Sequence, residues 1–407
     1  MIIVSISQKL DKSRIIFTIT LCISFLSFIP FVFPKLLLGL ASNYPISYDE
    51  IYEFGKIGPF IIITNISLVL ILLFFRYRKI SIISQFMEYF SKYDVSRKKT
   101  FFILIIIFTV YILYSWDELF TDQEKILSDY FDVLKALDKV ELFPNGSLNI
   151  LYLRYILLKI SHEIFGNIRL IPFLSSCILL LFTYIFTKEL SKKRFAGIIS
   201  VGILIQSNLF LLFDSIATYE TFWITFYLIS IYLVLKKTRM SFLVFVASLF
   251  TKAATFLFLP ITLYLITKLK IPNKIKFQSI ALYVIPFIIL IFVGHYIHII
   301  DFSNSIYFDS RHFWSSISAF SNGMRFDGLI LAVFFPILLC LYFKSKTYDD
   351  YSKFLMFSLS VLLISPWILN VVLGFTNQPY RLIPFIVFFS IAFGSLFSFK
   401  STYPKYI

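Results

Sequence analysis

Two adjacent carboxylates, Asp117 and Glu118, close an apolar segment running from Phe101 to Tyr114 and open the longest polar interval of the chain. Only 15% of the residues are charged, so an acid pair at the end of an apolar block asks for a chemical reason. A carboxylate can take a proton from a hydroxyl, and cations can stabilise a departing phosphate. Cations fit for the second task stand later in the chain: Lys252 inside an apolar stretch, Arg311 beside His312, and Arg381 after Tyr380. A charge close to hydrocarbon is costly and usually faces a cavity or a partner. Asp117 and Glu118 are the candidate acidic end of a catalytic site, and these cations its candidate rim.

The elements that must position them are membrane helices. Mean hydropathy is +0.84 and 58% of the residues are hydrophobic, and repeated apolar runs reach the length needed to cross hydrocarbon. The runs are solid blocks such as Phe195 to Phe213, not the dyad alternation of a β-barrel. The expected fold is an all-α integral membrane protein. The net charge of +15 does not point to nucleic acid, because Lys and Arg cluster between apolar blocks, as they do in cytoplasmic loops. Cys22, Cys177 and Cys340 lie inside apolar blocks and suggest neither a disulfide framework nor a metal site.

Lys and Arg then orient the chain. Lys9, Lys12 and Arg14 precede a first span (Ile15 to Leu40) and predict a cytoplasmic N-terminus. A second span, Ile57 to Phe75, returns to the basic stretch from Arg76 to Lys99, so the third delivers Asp117 to the exterior. The interval 117–167 is an extracytoplasmic loop whose second half, Asn149 to Phe165, has the spacing of an interfacial helix. Asn145-Gly146-Ser147 in that loop matches a glycan acceptor pattern. Met240 to Thr267 begins and ends at basic residues, and two full spans do not fit in it. A hairpin of two short helices with Thr251-Lys252-Ala253 near its tip satisfies both limits. About twelve helical crossings result, with both termini cytoplasmic and 399–407 a cytoplasmic tail. This topology gathers Asp117, Glu118, Asp214, Glu220, Lys252, Arg311, His312, Tyr380 and Arg381 at the outer face. His295 and His298, near the outer end of a span, read as structural.

Here the chain resembles the GT-C superfamily of membrane glycosyltransferases, in its protein-O-mannosyltransferase and aminoarabinose-transferase branch. The resemblance covers roughly residues 101–398. It rests on Asp117-Glu118 after an outward span, a loop helix ending Phe165-Gly166, and Arg169-Leu170-Ile171-Pro172 opening the next span. Tyr219-Glu220-Thr221, Leu249-Phe250-Thr251-Lys252 and Pro379-Tyr380-Arg381 follow in order. The resemblance implies transfer of a sugar from a polyprenyl-phosphate donor to a protein, lipid or glycan hydroxyl at the extracytoplasmic face of the cytoplasmic membrane. It implies Asp117 as general base with Glu118 as helper, Lys252 and Arg381 on the donor phosphate, and Tyr380, Glu220 and Arg169 in the same binding group. Two departures stand out. The family commonly has an Arg two residues before the acid, where this chain has Thr218, and residues 1–100 form a two-span extension without counterpart.

No organic cofactor is implied. Two adjacent acids are hard oxygen donors but too little to claim a divalent metal. The rival readings are a transporter or flippase of a lipid-linked or envelope precursor, and a non-catalytic scaffold of envelope assembly. Transporters tend to place charges at the midplane within internal repeats; here the charges gather at one face and no repeat is visible.

Overall fold

The computed structural model describes residues 12–32, 58–78, 89, 93–121, 124, 128–139, 152–296, 310–325, 327–346, 350–373 and 379–398. Among these the chain is helical without strands: α1 Lys12–Val32, α2 Gly58–Tyr77, α3 Arg97–Trp116, α4 Ser128–Lys139, α5 Tyr152–Phe165, α6 Leu170–Ser191, α7 Arg194–Ile205 and α8 Asn208–Phe213. Then come α9 Phe222–Leu235, α10 Met240–Thr251, α11 Leu259–Lys268, α12 Asn273–Tyr296, α13 Ser310–Met324, α14 Gly328–Ser345, α15 Asp350–Leu373 and α16 Ile383–Ser395. Seven of the described helical segments are long and apolar enough to cross a membrane, among them α3 continued to Phe120 and α16 with its flanking turns. Four shorter apolar segments accompany them. This is the composition of a multi-pass membrane protein; the seven long helices and four short segments do not by themselves make twelve crossings.

Burial sorts the helices. Along α15 and α16 the buried share of the apolar window is 72%, against 17% for α2 and α3, so the first two form the centre and the last two the rim. The N-terminal helices pack into the same bundle. On α1, Thr20, Ser24 and Ser27 recur at i, i+4 and i+7, all fully buried; Thr20 Oγ1 meets Ser360 Oγ of α15 at 2.5 Å. On α2, buried Asn65 donates to the Leu331 carbonyl at 2.6 Å and accepts from the Phe335 N–H at 3.1 Å. That amide links the carbonyl of residue 331 to the N–H of residue 335, one residue before the helix-internal Pro336. Gly394 of α16 crosses α7 so closely that a Cβ there would lie 2.0 Å from Ser200 Oγ and 2.4 Å from the Ala196 carbonyl oxygen. Small residues at such crossings are the usual currency of membrane helix packing.

Two sequence expectations change in detail. The apolar block Phe195 to Phe213 is not one helix: α7 ends at Gln206, and Ser207 caps α8 by accepting from the Phe210 N–H at 3.1 Å. The first span begins at Lys12 and is described as far as Val32, so its expected end at Leu40 lies outside the described residues. The hairpin is present as α10, a 3-10 turn Ala253–Phe258 and α11. The helix expected in the second half of the 117–167 interval is α5, and a second helix, α4, precedes it. Val133 and Leu137 of α4, Leu158 of α5, Ile168, Ala217 and Phe222 form a small separate core that fastens this segment to the bundle. Asn145-Gly146-Ser147 lies outside the described residues, as does His298; the side chains of His295, Arg311 and His312 do too.

Candidate functional site

The link between α8 and α9, residues 214–221, is the hub on which the polar residues converge. Asp214 is fully buried and accepts from Ser115 Oγ, in the last turn of α3, at 2.8 Å. Among the described residues its other oxygen and the buried Tyr111 hydroxyl take no well-aligned hydrogen bond. Burial pushes the Asp214 carboxyl up to about 7, and the nearby Glu118 charge acts in the same direction. Asp117 and Glu118 themselves lie in the 3-10 turn Asp117–Phe120 that continues α3, Asp117 exposed and Glu118 half-buried.

Arg169 clamps that turn to the hub. Its guanidinium donates to the carbonyl oxygen of Glu118, and at 3.1 Å to that of Thr121. On its other side it donates to the Ser215 carbonyl at 3.2 Å and to Ser215 Oγ at 2.9 Å. Glu124 completes the clamp, 3.6 Å from Arg169 Nε, accepting from the Ala217 N–H at 3.1 Å and from Thr218 N–H and Oγ1 at 2.5 Å each. The sequence assigned Arg169 to donor binding; here its described contacts are with the protein's own backbone, Ser215, Thr121 and Glu124.

The second half of the hub carries Glu220, 1% exposed. Arg154 of α5 reaches it, Nε to Oε2 at 3.0 Å, and donates from Nη2 to the Thr218 carbonyl at 2.6 Å. Neither Glu220 oxygen takes a well-aligned hydrogen bond. Burial raises the Glu220 carboxyl above its ordinary range, while the Arg154 and then the Lys252 charges pull it back. Lys252 adopts extended backbone (φ −157°, ψ 115°) at the break between α10 and the 3-10 turn. Its ammonium sits 3.8 Å from the Tyr380 ring centroid and 5.2 Å from that of Trp223. The Tyr380 ring stacks on Tyr219 at 4.6 Å, and Tyr219 donates its hydroxyl to Asp129 of α4 at 2.7 Å. The Arg381 guanidinium flanks Tyr380, Nε to Oη at 3.5 Å. A cation against tyrosine faces is favoured electrostatically by the ring quadrupole, more so out of water.

Lys252, Tyr380, Arg381 and Glu220 are thus brought together, and Asp117, Glu118 and Arg169 form a neighbouring group joined to them through the 214–218 backbone. Sequence reasoning missed Arg154, Glu124, Ser115 and Trp223. Arg154 had a signal: it stands three residues after Leu151 and four before Leu158, on the apolar stripe of its helix, where a charge calls for an acid. Among the described residues no group of His, Cys, Asp and Glu is arranged to hold a metal ion. No family model, curated protein or solved structure matches this chain.

Proposed function

We propose that this protein transfers a sugar from a polyprenyl-phosphate donor to an acceptor hydroxyl at the membrane surface that carries the hub. The supporting observation is the placing of Arg154 and Lys252 beside one buried carboxylate, Glu220, with Arg381 against Tyr380, the ring on which the Lys252 ammonium sits. Like charges held together in a desolvated setting are best balanced by an anion, and a lipid phosphate supplies one beside an apolar tail. In this reading Asp117 takes the proton of the acceptor hydroxyl as its oxygen attacks the anomeric carbon. The bond from that carbon to the phosphate oxygen breaks, and the phosphate leaves with the electron pair, stabilised by Lys252 and Arg381. Arg169 holds the Asp117–Glu118 turn against the hub as a positioning residue.

The test is the glycan and glycolipid profile of cells carrying wild type, Asp117→Asn or Lys252→Met at matched protein abundance. The expected result is loss of one sugar with accumulation of its lipid-linked donor in both variants. An unchanged profile refutes the reading.

One observation favours a transporter of a lipid-linked precursor instead. Lys252 sits at a break in a short helical hairpin, and transporters build substrate sites from such discontinuous helices. Uptake of labelled precursor into sealed vesicles without a covalent product decides for that alternative.

A further inference from the structure

A second polar site lies at the far end of the same helices. Arg97 opens α3 and Asp117 follows its last residue, 20 helical residues later. At 1.5 Å per residue the two ends stand about 30 Å apart, the thickness of a bilayer's hydrocarbon. Beside Arg97 is a cavity of about 360 Å³ walled by three cations, Arg97, Lys188 and Arg194, and by Phe101, Leu104 and Tyr184. It lies where the start of α3, the end of α6 and the start of α7 meet.

The charges here are unbalanced. Arg97 and Lys188 are exposed and take no ion pair among the described residues. The carboxylate in contact is Asp94, 3.6 Å from Arg194 Nη1. Asp94 also accepts from the Arg194 and Phe195 N–H groups at 2.9 and 3.0 Å, so it is engaged in closing the start of α7. Three cations therefore stand against one committed acid.

The other wall is apolar and opens sideways. Phe101 is 63% exposed and is followed one turn later by Ile105, 45% exposed, on a face of α3 left open among the described residues. A small inorganic anion has no use for such a wall. An acyl chain attached to an anionic headgroup does, since it lies along the exposed stripe while the head meets the cations. We propose that this cavity binds an anionic phospholipid, its phosphate held by Arg97, Lys188 and Arg194 and one chain running along Phe101 and Ile105. The site is independent of the transfer chemistry at the opposite end.

The test reconstitutes the full chain in phosphatidylcholine nanodiscs containing a minor fraction of phosphatidylglycerol. Native mass spectrometry then counts the anionic lipids that stay with the released protein. R97Q/K188Q is expected to lower phosphatidylglycerol retention about 25-fold, taking about fivefold for each charge-assisted contact to the lipid phosphate. K98Q/K99Q removes the same charge from side chains that do not line the cavity and is expected to change retention less than about threefold. R97K/K188R, which keeps the charges, is expected to retain the lipid and shows that any loss is not misfolding. Equal losses in both glutamine pairs, or no enrichment in wild type, overturn the proposal. Displacement of the lipid by inorganic phosphate, with phosphate then found on the protein, overturns the lipid assignment in favour of a free anion.

Discussion

Replacing Arg154 with alanine removes a guanidinium whose Nε lies 3.0 Å from Glu220 Oε2 and whose Nη2 donates to the Thr218 carbonyl at 2.6 Å. Glu220 is 1% exposed, so its charge cannot turn to water. At this separation and an effective dielectric of about 20, the gross attraction is about 5 kcal/mol. Removing one partner of a buried pair costs about 3–5 kcal/mol in practice, and Lys252 compensates in part, so Arg154→Ala is expected to cost about 3 kcal/mol. Glu220→Gln leaves Arg154, 14% exposed at its side chain, able to reach solvent, and is expected to cost about 1 kcal/mol. The double variant leaves no unpaired buried carboxylate behind and is expected to be more stable than Arg154→Ala alone, by about 1–2 kcal/mol. The pH dependence has a definite sign. Burial already raises the Glu220 carboxyl above its ordinary range, and losing Arg154 raises it further. A raised carboxyl binds its proton more tightly in the folded state, so that contribution is present at low pH and lost as pH rises through the folded value. The deficit of Arg154→Ala is therefore smaller near pH 5 than near pH 8. SDS titration of the four variants in mixed micelles, followed by tryptophan fluorescence, measures the cycle. A deficit for Arg154→Ala below about 0.5 kcal/mol, or simple additivity in the double variant, refutes the buried-pair argument.

Three further outcomes follow from the fold. Asn65→Leu strips the Phe335 N–H and Leu331 carbonyl of the amide that bridges them, and is expected to cost about 1–3 kcal/mol in the same titration. Gly394→Ala places a methyl 2.4 Å from the Ala196 carbonyl oxygen and 2.0 Å from Ser200 Oγ; it is expected to cost about 1–3 kcal/mol, and Ser200→Gly to relieve it only in part because the carbonyl remains. For Asp214, burial raises the carboxyl from the ordinary carboxylate range to about 7. Its stabilising contribution is present below the lower value and fades as pH rises to the upper one. Asp214→Asn should therefore flatten the stability profile between about pH 4 and pH 7; an unchanged slope assigns the pH dependence to other groups.

Much of the helix framework is legible in the sequence, because apolar blocks bounded by basic clusters leave few alternatives. The short hairpin follows from length and charge together, and Lys252 at its break is where that reasoning placed it. The division of Phe195–Phe213 is harder to read because hydropathy averages over a cap. Gln206-Ser207-Asn208 is polar only briefly, yet Ser207 Oγ taking the Phe210 N–H suffices to start a new helix there. Helix α4 escapes for the opposite reason. Half of its residues are polar, and Val133 and Leu137, one turn apart with Tyr130 and Leu134 beside them, make the face it buries.

The site is legible as a set of charges and illegible as a set of pairs. Sequence order puts Lys252, Tyr380 and Arg381 on the same rim but cannot say that the Lys252 ammonium sits on the Tyr380 ring, because that distance is fixed by the extended backbone at one residue. Nor can it separate Arg169 from Arg381, two arginines next to apolar spans. The difference is in the groups that surround them. Arg169 meets the carbonyl oxygens of Glu118, Thr121 and Ser215, and so ties two separate turns together. Arg381 lies against an aromatic ring and a phenol oxygen. A guanidinium fastened to three carbonyls fixes a turn in place, a task set by the backbone around it. The two arginines are thus distinguished by the groups they face, and not by their spacing in the chain.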